Sequence, residues 1–173
     1  MADLNFDPTA VANYIVEYAN GKNKTITNLK LQKILFFVQA AFLTEQDSSL
    51  MDVKFSRWQY GPVAKDVYFN FKDRGAQPII EKAEVLNTND FTFSVPELGK
   101  IKEETKANLN NYIDNLLSYT ARDLVQETHD ESIWSDYKEE IFMRNAPDYT
   151  NDEIREFFKE KVDKKIWEKV LRN

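Results

Sequence analysis

The one histidine of the chain, His129, is followed directly by Asp130 and Glu131, so these residues are the first candidates for chemistry. An imidazole beside carboxylates can act as a general base or as one ligand of a metal ion. A catalytic zinc site usually takes three protein ligands, and the chain offers no second histidine and no cysteine. No Gly-x-Ser-x-Gly elbow supplies a nucleophile either. We therefore expect His129 to end a helix, to bond its last carbonyls and to pack near Trp134.

The other acidic residues and the glycines do not form a catalytic pattern. Neighbouring acids such as Glu103 and Glu104 point in different directions on a helix, whereas acid–base catalysis needs two carboxyl groups in one shared environment. The chain has 4 glycines, all far apart, so no glycine-rich loop can hold a phosphate group. These features predict a protein that is not an enzyme and that uses no cofactor and no metal ion.

Three large aromatic residues, Trp58, Tyr60 and Trp134, are the remaining candidates for function. Tryptophan and tyrosine are enriched at protein interfaces because they bury a large area and keep a polar tip. They are equally able to brace a turn against a core. We favour a core position for Trp58 and Trp134, and partial exposure for Tyr60, which precedes the turn-forming pair Gly61-Pro62.

A mainly α-helical scaffold of the α+β class must position these residues. Asp7 and Pro8 are typical of a helix start, as N-cap and first helical residue. The apolar residues of 28–43 recur at i, i+3 and i+4 spacing, with phenylalanines on the flanks of the stripe. This segment therefore predicts a central helix around which the others pack in a compact domain. Lys30 and Lys33 are expected to mark its only water-facing strip.

Two short segments, about 53–59 and 90–95, alternate apolar and polar residues and predict strands. We expect them to form a small antiparallel β hairpin or sheet. Gly61 and Pro62 are expected to end the first strand and to begin a new helix.

The C-terminal part predicts one further helix. Thr150 and Glu153 form a capping box, and a continuous apolar face follows it. We expect a domain over 1–150 and an amphipathic helix over 151–173 that packs on it. The alternative for this helix is that its apolar face docks into a partner protein.

Charge and composition narrow the choice of partner. The formal net charge is −6, and the excess lies in 97–140, with eleven acidic and five basic side chains. A phosphate backbone is repelled by such a surface, so nucleic-acid binding is disfavoured, whereas a basic protein is attracted. The simpler interpretation of this acidic excess is a solvated helix face. The absence of cysteine, of a signal-peptide pattern and of any apolar run near the ~20 residues of a membrane helix predicts a cytoplasmic protein without a membrane partner.

Four short motifs follow one another over about residues 10–135. They are Ala12-Asn13-Tyr14-Ile15, the run from Thr27 to Lys33, the turn Trp58-Gln59-Tyr60-Gly61-Pro62-Val63 with Val67-Tyr68 after it, and the element of Leu124, Thr128, His129 and Trp134. Their order resembles the Panacea antitoxin domain family, which includes SocA-like and phage-associated proteins. Family members often have Gly-Pro before the tryptophan of the fourth motif, where this chain has Ser132-Ile133.

The resemblance implies a protein-binding antitoxin that neutralises, by direct contact, a toxin encoded by a neighbouring gene. Aromatic residues near Tyr60 and the acidic surface over 97–140 are the candidate contacts. A SocA-like member instead delivers its toxin to a cytoplasmic protease, so a proteolytic adaptor is the first alternative and an enzyme centred on His129 is the second. The identity of the toxin and the oligomeric state stay open. The candidate partner-binding or motif residues are Trp58, Tyr60, Gly61, Pro62, His129 and Trp134.

Overall fold

A computed structural model of the chain describes residues 2–169. It confirms the prediction of a mainly α-helical fold with a small β component, and no helix in this part of the chain is long and apolar enough to cross a membrane. The helices are α1 (Pro8–Gly21), α2 (Asn28–Glu45), α3 (Lys65–Phe71), α4 (Glu103–Leu117), α5 (Ala121–His129), α6 (Ser132–Ser135), α7 (Lys138–Phe142) and α8 (Asn151–Glu160). The strands are β1 (Phe55–Trp58), β2 (Gly61–Ala64), β3 (Val85–Leu86) and β4 (Phe93–Ser94), and short 3-10 helices span Lys72–Arg74, Val162–Lys164 and Ile166–Glu168.

Helix α2 is the centre of the fold, as its apolar pattern predicts. Helices α1, α3, α4, α5 and α8 and strand β2 all pack against it, and every residue from 31 to 43 is buried. The predicted water-facing strip is therefore wrong for Lys33, which is fully buried. The accessible residues of the helix lie at its ends, where Leu29 is exposed and Lys30 half-buried.

The two predicted strand segments do not pair with each other. Residues 55–58 pair antiparallel with 61–64, in the register Phe55–Ala64 to Trp58–Gly61. The second segment instead forms its own hairpin, in which β4 pairs with β3. The physical reason lies at Gly61, whose φ of 99° lets the chain reverse directly after β1. The expectation that a helix begins at Pro62 is wrong, because Pro62 lies in β2 and α3 begins three residues later, at Lys65.

The C-terminal segment is more broken than the predicted helix over 151–173. Thr150 and Glu153 do form the capping box, but α8 ends at Glu160. Lys161 then leaves helical geometry and two 3-10 turns follow; residues 170–173 lie outside the described part of the chain. The apolar side chains of this segment, including Phe158 and Trp167, belong to the same core cluster as α2. The division at residue 150 stays a prediction.

Candidate functional site

The predicted site residues converge on the hairpin formed by β1 and β2. Gln59 and Tyr60, which we call the hairpin tip, connect the two strands. Gly61, directly after the tip, lies close to side chains of α2 and α5. A Cβ atom at Gly61 would lie 2.5 Å from Oγ1 of Thr128 and 3.1 Å from Cε of Lys33. Glycine is therefore required twice here, by the positive φ and by the close approach.

Two side chains of α2 hold the hairpin from one side. Nζ of Lys33 donates to the carbonyl of Pro62 at 2.9 Å, and Oε1 of Gln32 accepts from the backbone N–H of Ala64 at 3.0 Å. Burial lowers the pKa of Lys33 from 10.5 to about 7, because the ammonium ion loses its water. The buried amino group of Lys33, whose loss of hydration costs free energy, thus fixes one backbone carbonyl of the hairpin.

His129 and Trp134 hold the hairpin at the end of β1 and at the tip. Helix α5 begins with a capping box and ends at His129, and α6 then brings Trp134 back beside it, so the two rings stack at 3.9 Å between centroids. Nε2 of His129 lies 2.9 Å from the carbonyl of Gln59, and Nε1 of Trp134 donates to the carbonyl of Trp58 at 2.9 Å.

The role of His129 follows from this geometry. A carbonyl only accepts hydrogen bonds, so the Nε2 atom that faces Gln59 must carry a proton. Burial lowers the pKa of His129, which keeps the ring neutral near pH 7. The expected position at a helix end beside Trp134 is observed, but the ring bonds the hairpin tip rather than the last carbonyls of its own helix. His129 therefore positions backbone.

The six candidate residues differ in how far their side chains are exposed. Gly61, Pro62 and Trp134 are buried, and Trp58 and His129 are half-buried. Tyr60 differs, because its side chain is 60% exposed. The structure thus brings all six residues together, and it presents mainly the hairpin tip to the surroundings.

Arg57, which was not among the predicted site residues, anchors the hairpin to the C-terminal segment. Its side chain is fully buried, forms an ion pair with Glu153 and donates to the carbonyls of Ile133 and Pro147, each at 2.8 Å. Its guanidinium group lies between the rings of Tyr137 and Tyr149, at 3.8 and 4.2 Å from their centroids. One local signal was available, since Arg57 is in phase with Val53 and Phe55 and therefore falls on the apolar face of the predicted strand, but its partners are distant in sequence.

Glu131 was considered only as a carboxylate beside His129, and its complete burial was not predicted. It is completely buried, and neither carboxylate oxygen has a hydrogen-bond partner among the residues that the structure describes. Burial raises the pKa of this carboxyl group well above its usual range, so it is held in the neutral form. Within residues 2–169 no group of three histidine, aspartate or glutamate side chains is arranged to hold a metal ion.

Comparison with known proteins adds a family to this geometry. The family model for "Antitoxin SocA-like, Panacea domain" matches residues 31–135, which include the hairpin and both sides of its support. The protein "Antitoxin SocA" of Caulobacter vibrioides (strain NA1000 / CB15N) is 38% identical over 77 residues, which are 44% of this chain and 41% of that protein. The match thus spans about two fifths of the length of the curated relative. No solved structure matches the chain significantly.

Proposed function

The chain belongs to the SocA-like Panacea family of antitoxins, and from this premise we propose that it binds a toxin and neutralises it by direct contact. The toxin is the product of a neighbouring gene, and the complex forms in the cytoplasm. In this proposal the chain performs no chemistry on its partner. It occludes the surface that the toxin needs for its activity.

The observation that carries this proposal is a fixed and exposed hairpin tip. Side chains from α2, α5 and α6, two of them buried and one half-buried, hold the backbone before and after Tyr60, while the phenol ring itself is mostly exposed. A tyrosine fixed in this way loses little conformational freedom on binding, and tyrosine is enriched among the residues that dominate binding energy. The tip therefore suits a protein contact.

The acidic surface over 97–140 supports a basic partner. Most of its carboxylates, including Glu103 and Glu104 on α4 and Glu139 and Glu140 on α7, are exposed. Charges of one sign on a surface speed the approach of an oppositely charged protein and fix its orientation. We assign this surface the role of attracting the toxin, whereas the hairpin tip supplies contact energy.

The test uses Tyr60→Ala with Tyr60→Phe as its matched control. The tagged chain is co-expressed with the product of a neighbouring gene that is toxic on its own, and the dissociation constant and growth rescue are measured. We expect Tyr60→Ala to weaken binding by about tenfold or more, because a central aromatic contact is lost, and Tyr60→Phe to keep most of it. Equal binding by all three proteins would remove the hairpin tip from the interface.

The same experiment separates occlusion from delivery to a protease. An occluding antitoxin leaves the half-life of the toxin unchanged or longer, because the bound toxin is folded and covered. A proteolytic adaptor shortens that half-life and is recovered together with a protease. A toxin that neither binds the chain nor is neutralised by it would refute the proposed function.

A further inference from the structure

A second surface exposes large apolar side chains that are not themselves motif residues. Four of them are more than half exposed: Phe69 at 56%, Ile80 at 78%, Phe91 at 77% and Phe93 at 67%. Single exposed apolar residues are ordinary, but a cluster of them commonly marks a site of protein contact. The residues come from α3, from the following loop and from the hairpin of β3 and β4.

Three of these side chains line one open groove. We call it the aromatic groove, and its volume is about 1230 Å³. Its apolar wall consists of Phe69, Pro78, Ile80, Phe93 and Val95. Phe69 also connects the groove to Trp58, the last residue of β1. Its ring contacts that of Tyr68 at 5.4 Å, and Tyr68 in turn contacts Trp58 at 5.0 Å. An aromatic row therefore runs from β1 to the groove.

The rim of the aromatic groove carries an excess of negative charge. Four carboxylates and two cations line it, and both cations are already paired. Arg74 bonds Asp73 at 2.6 Å, and Lys82 lies 3.2 Å from each of two carboxylates, those of Glu17 and Glu97. Glu81 and Glu84 are exposed and form no ion pair with any residue in 2–169, so their charges are available to a partner.

The loop between β3 and β4 holds Phe91 outward in an unfavourable backbone conformation. Phe91 has a φ of 56°, a region that bulky side chains rarely adopt. The turn is nevertheless well bonded, since the N–H of Phe91 donates to Asn87 and that of Asn87 to Thr92, at 2.8 and 2.7 Å. Asparagine tolerates this conformation much better than phenylalanine. A substitution can therefore remove the ring without disturbing the turn.

We propose that the aromatic groove and Phe91 dock an apolar segment of the toxin that carries lysine or arginine beside its apolar residues. This proposal rests on the proposed function, because its occupant is the neutralised toxin. The apolar wall supplies contact area, and Glu81 and Glu84 select a basic segment over an acidic one. The groove thereby extends the interface of the hairpin tip along the row of Trp58, Tyr68 and Phe69.

The test measures affinity for the toxic product of the neighbouring gene with two groove variants, Ile80→Ser and Glu84→Lys, and with Phe91→Asn in the turn between β3 and β4. Phe142→Ser is the control, because this ring on α7 is 84% exposed and belongs neither to the groove nor to the β3–β4 hairpin. We expect each of these three variants to weaken binding about tenfold, and the effect of Glu84→Lys to shrink at high salt. Circular dichroism and the melting temperature show that each variant is folded.

The outcomes separate this inference from the proposed function. Wild-type binding that groove variants weaken and Phe142→Ser leaves unchanged supports the inference. Wild-type binding that no groove variant alters overturns it and leaves the antitoxin proposal intact. A groove variant that converts a self-associated wild type to a monomer overturns it in favour of a second copy as occupant. A wild type that does not bind the toxin refutes the proposed function, and the docking inference with it.

Discussion

Replacing Lys33 with methionine is expected to remove a rise in stability with pH above neutrality. The ammonium group is completely buried, and its one hydrogen bond in the described part of the chain goes to the carbonyl of Pro62. Burial lowers the pKa of Lys33 from 10.5 to about 7. Methionine has a similar length and no charge, so Lys33→Met keeps the packing while it deletes the titration.

The sign and size of the effect follow from proton binding in the two states. Between the folded pKa of about 7 and the unfolded value of 10.5, the unfolded chain holds the Lys33 proton and the folded chain has lost it. Stability therefore rises with pH in this window, at up to about 1.4 kcal/mol per pH unit. From about pH 7 to about pH 9.5 the contribution of Lys33 amounts to about 3 kcal/mol. Below about pH 7 both states are protonated and the contribution is flat.

Urea unfolding at a series of pH values measures this contribution. The free energy of unfolding is compared between wild type and Lys33→Met, with Lys65→Met as the control because Lys65 is exposed at the start of α3. We expect the difference between wild type and Lys33→Met to change by about 3 kcal/mol across the window, and that of the control to stay constant. The series stops below about pH 10, where tyrosines begin to ionise in the unfolded chain.

Taking the difference in unfolding free energy between wild type and Lys33→Met also removes the opposing contribution of Glu131. Its raised pKa makes stability fall with pH above the unfolded value of about 4.5, because the unfolded carboxyl group ionises first. This term is present in both proteins, so it cancels in their difference. Parallel curves of unfolding free energy for wild type and Lys33→Met would refute the reasoning, since they would show that Lys33 keeps its proton when buried.

Three further substitutions test the remaining buried contacts, each by urea unfolding. Gly61→Ala is expected to cost about 2–4 kcal/mol, since it combines a positive φ with a steric clash; an unchanged midpoint would contradict the close approach. Arg57→Lys is expected to cost about 2–4 kcal/mol, because an ammonium group cannot replace the stacked guanidinium and its fork of donors; a loss below about 0.5 kcal/mol would contradict this. Glu131→Gln is expected to leave stability unchanged near pH 4 and to raise it by about 1 kcal/mol or more near pH 8, and a pH-independent difference would contradict the raised pKa.

The parts of the fold that sequence predicts well are those with local causes. The N-cap at Asp7 and the capping box of Thr150 and Glu153 involve residues at most three positions apart, and both are observed. The apolar stripe of 28–43 likewise identifies the central helix, because burial follows directly from its pattern. Each of these predictions needs only a few neighbouring residues.

The wrong predictions concern contacts between distant residues. The hairpin of β1 and β2 lacks glycine inside its two-residue turn, since Gly61 follows the tip, so the usual hairpin pattern does not mark it. Lys33 looks like a solvent-facing residue until the Pro62 carbonyl, 29 positions away, is placed beside it. The buried positions of Arg57 and Glu131 also depend on segments more than seventy residues away or on the packing of several elements. Polarity alone predicts the opposite environment for all three charged residues.

The placement of the motif residues has a consequence for partner recognition. Four buried motif residues lie in the hairpin of β1 and β2 or contact its backbone: Lys33, Gly61, Thr128 and Trp134. The family match therefore describes the internal frame of the domain more than its contact surface. Of the motif side chains near the hairpin tip, those of Gln59 and Tyr60 are exposed. A frame fixed by buried residues lets the exposed residues change without loss of the fold. The proposed function therefore predicts that differences in specificity between toxins depend mainly on exposed side chains outside the motifs, such as those of the aromatic groove.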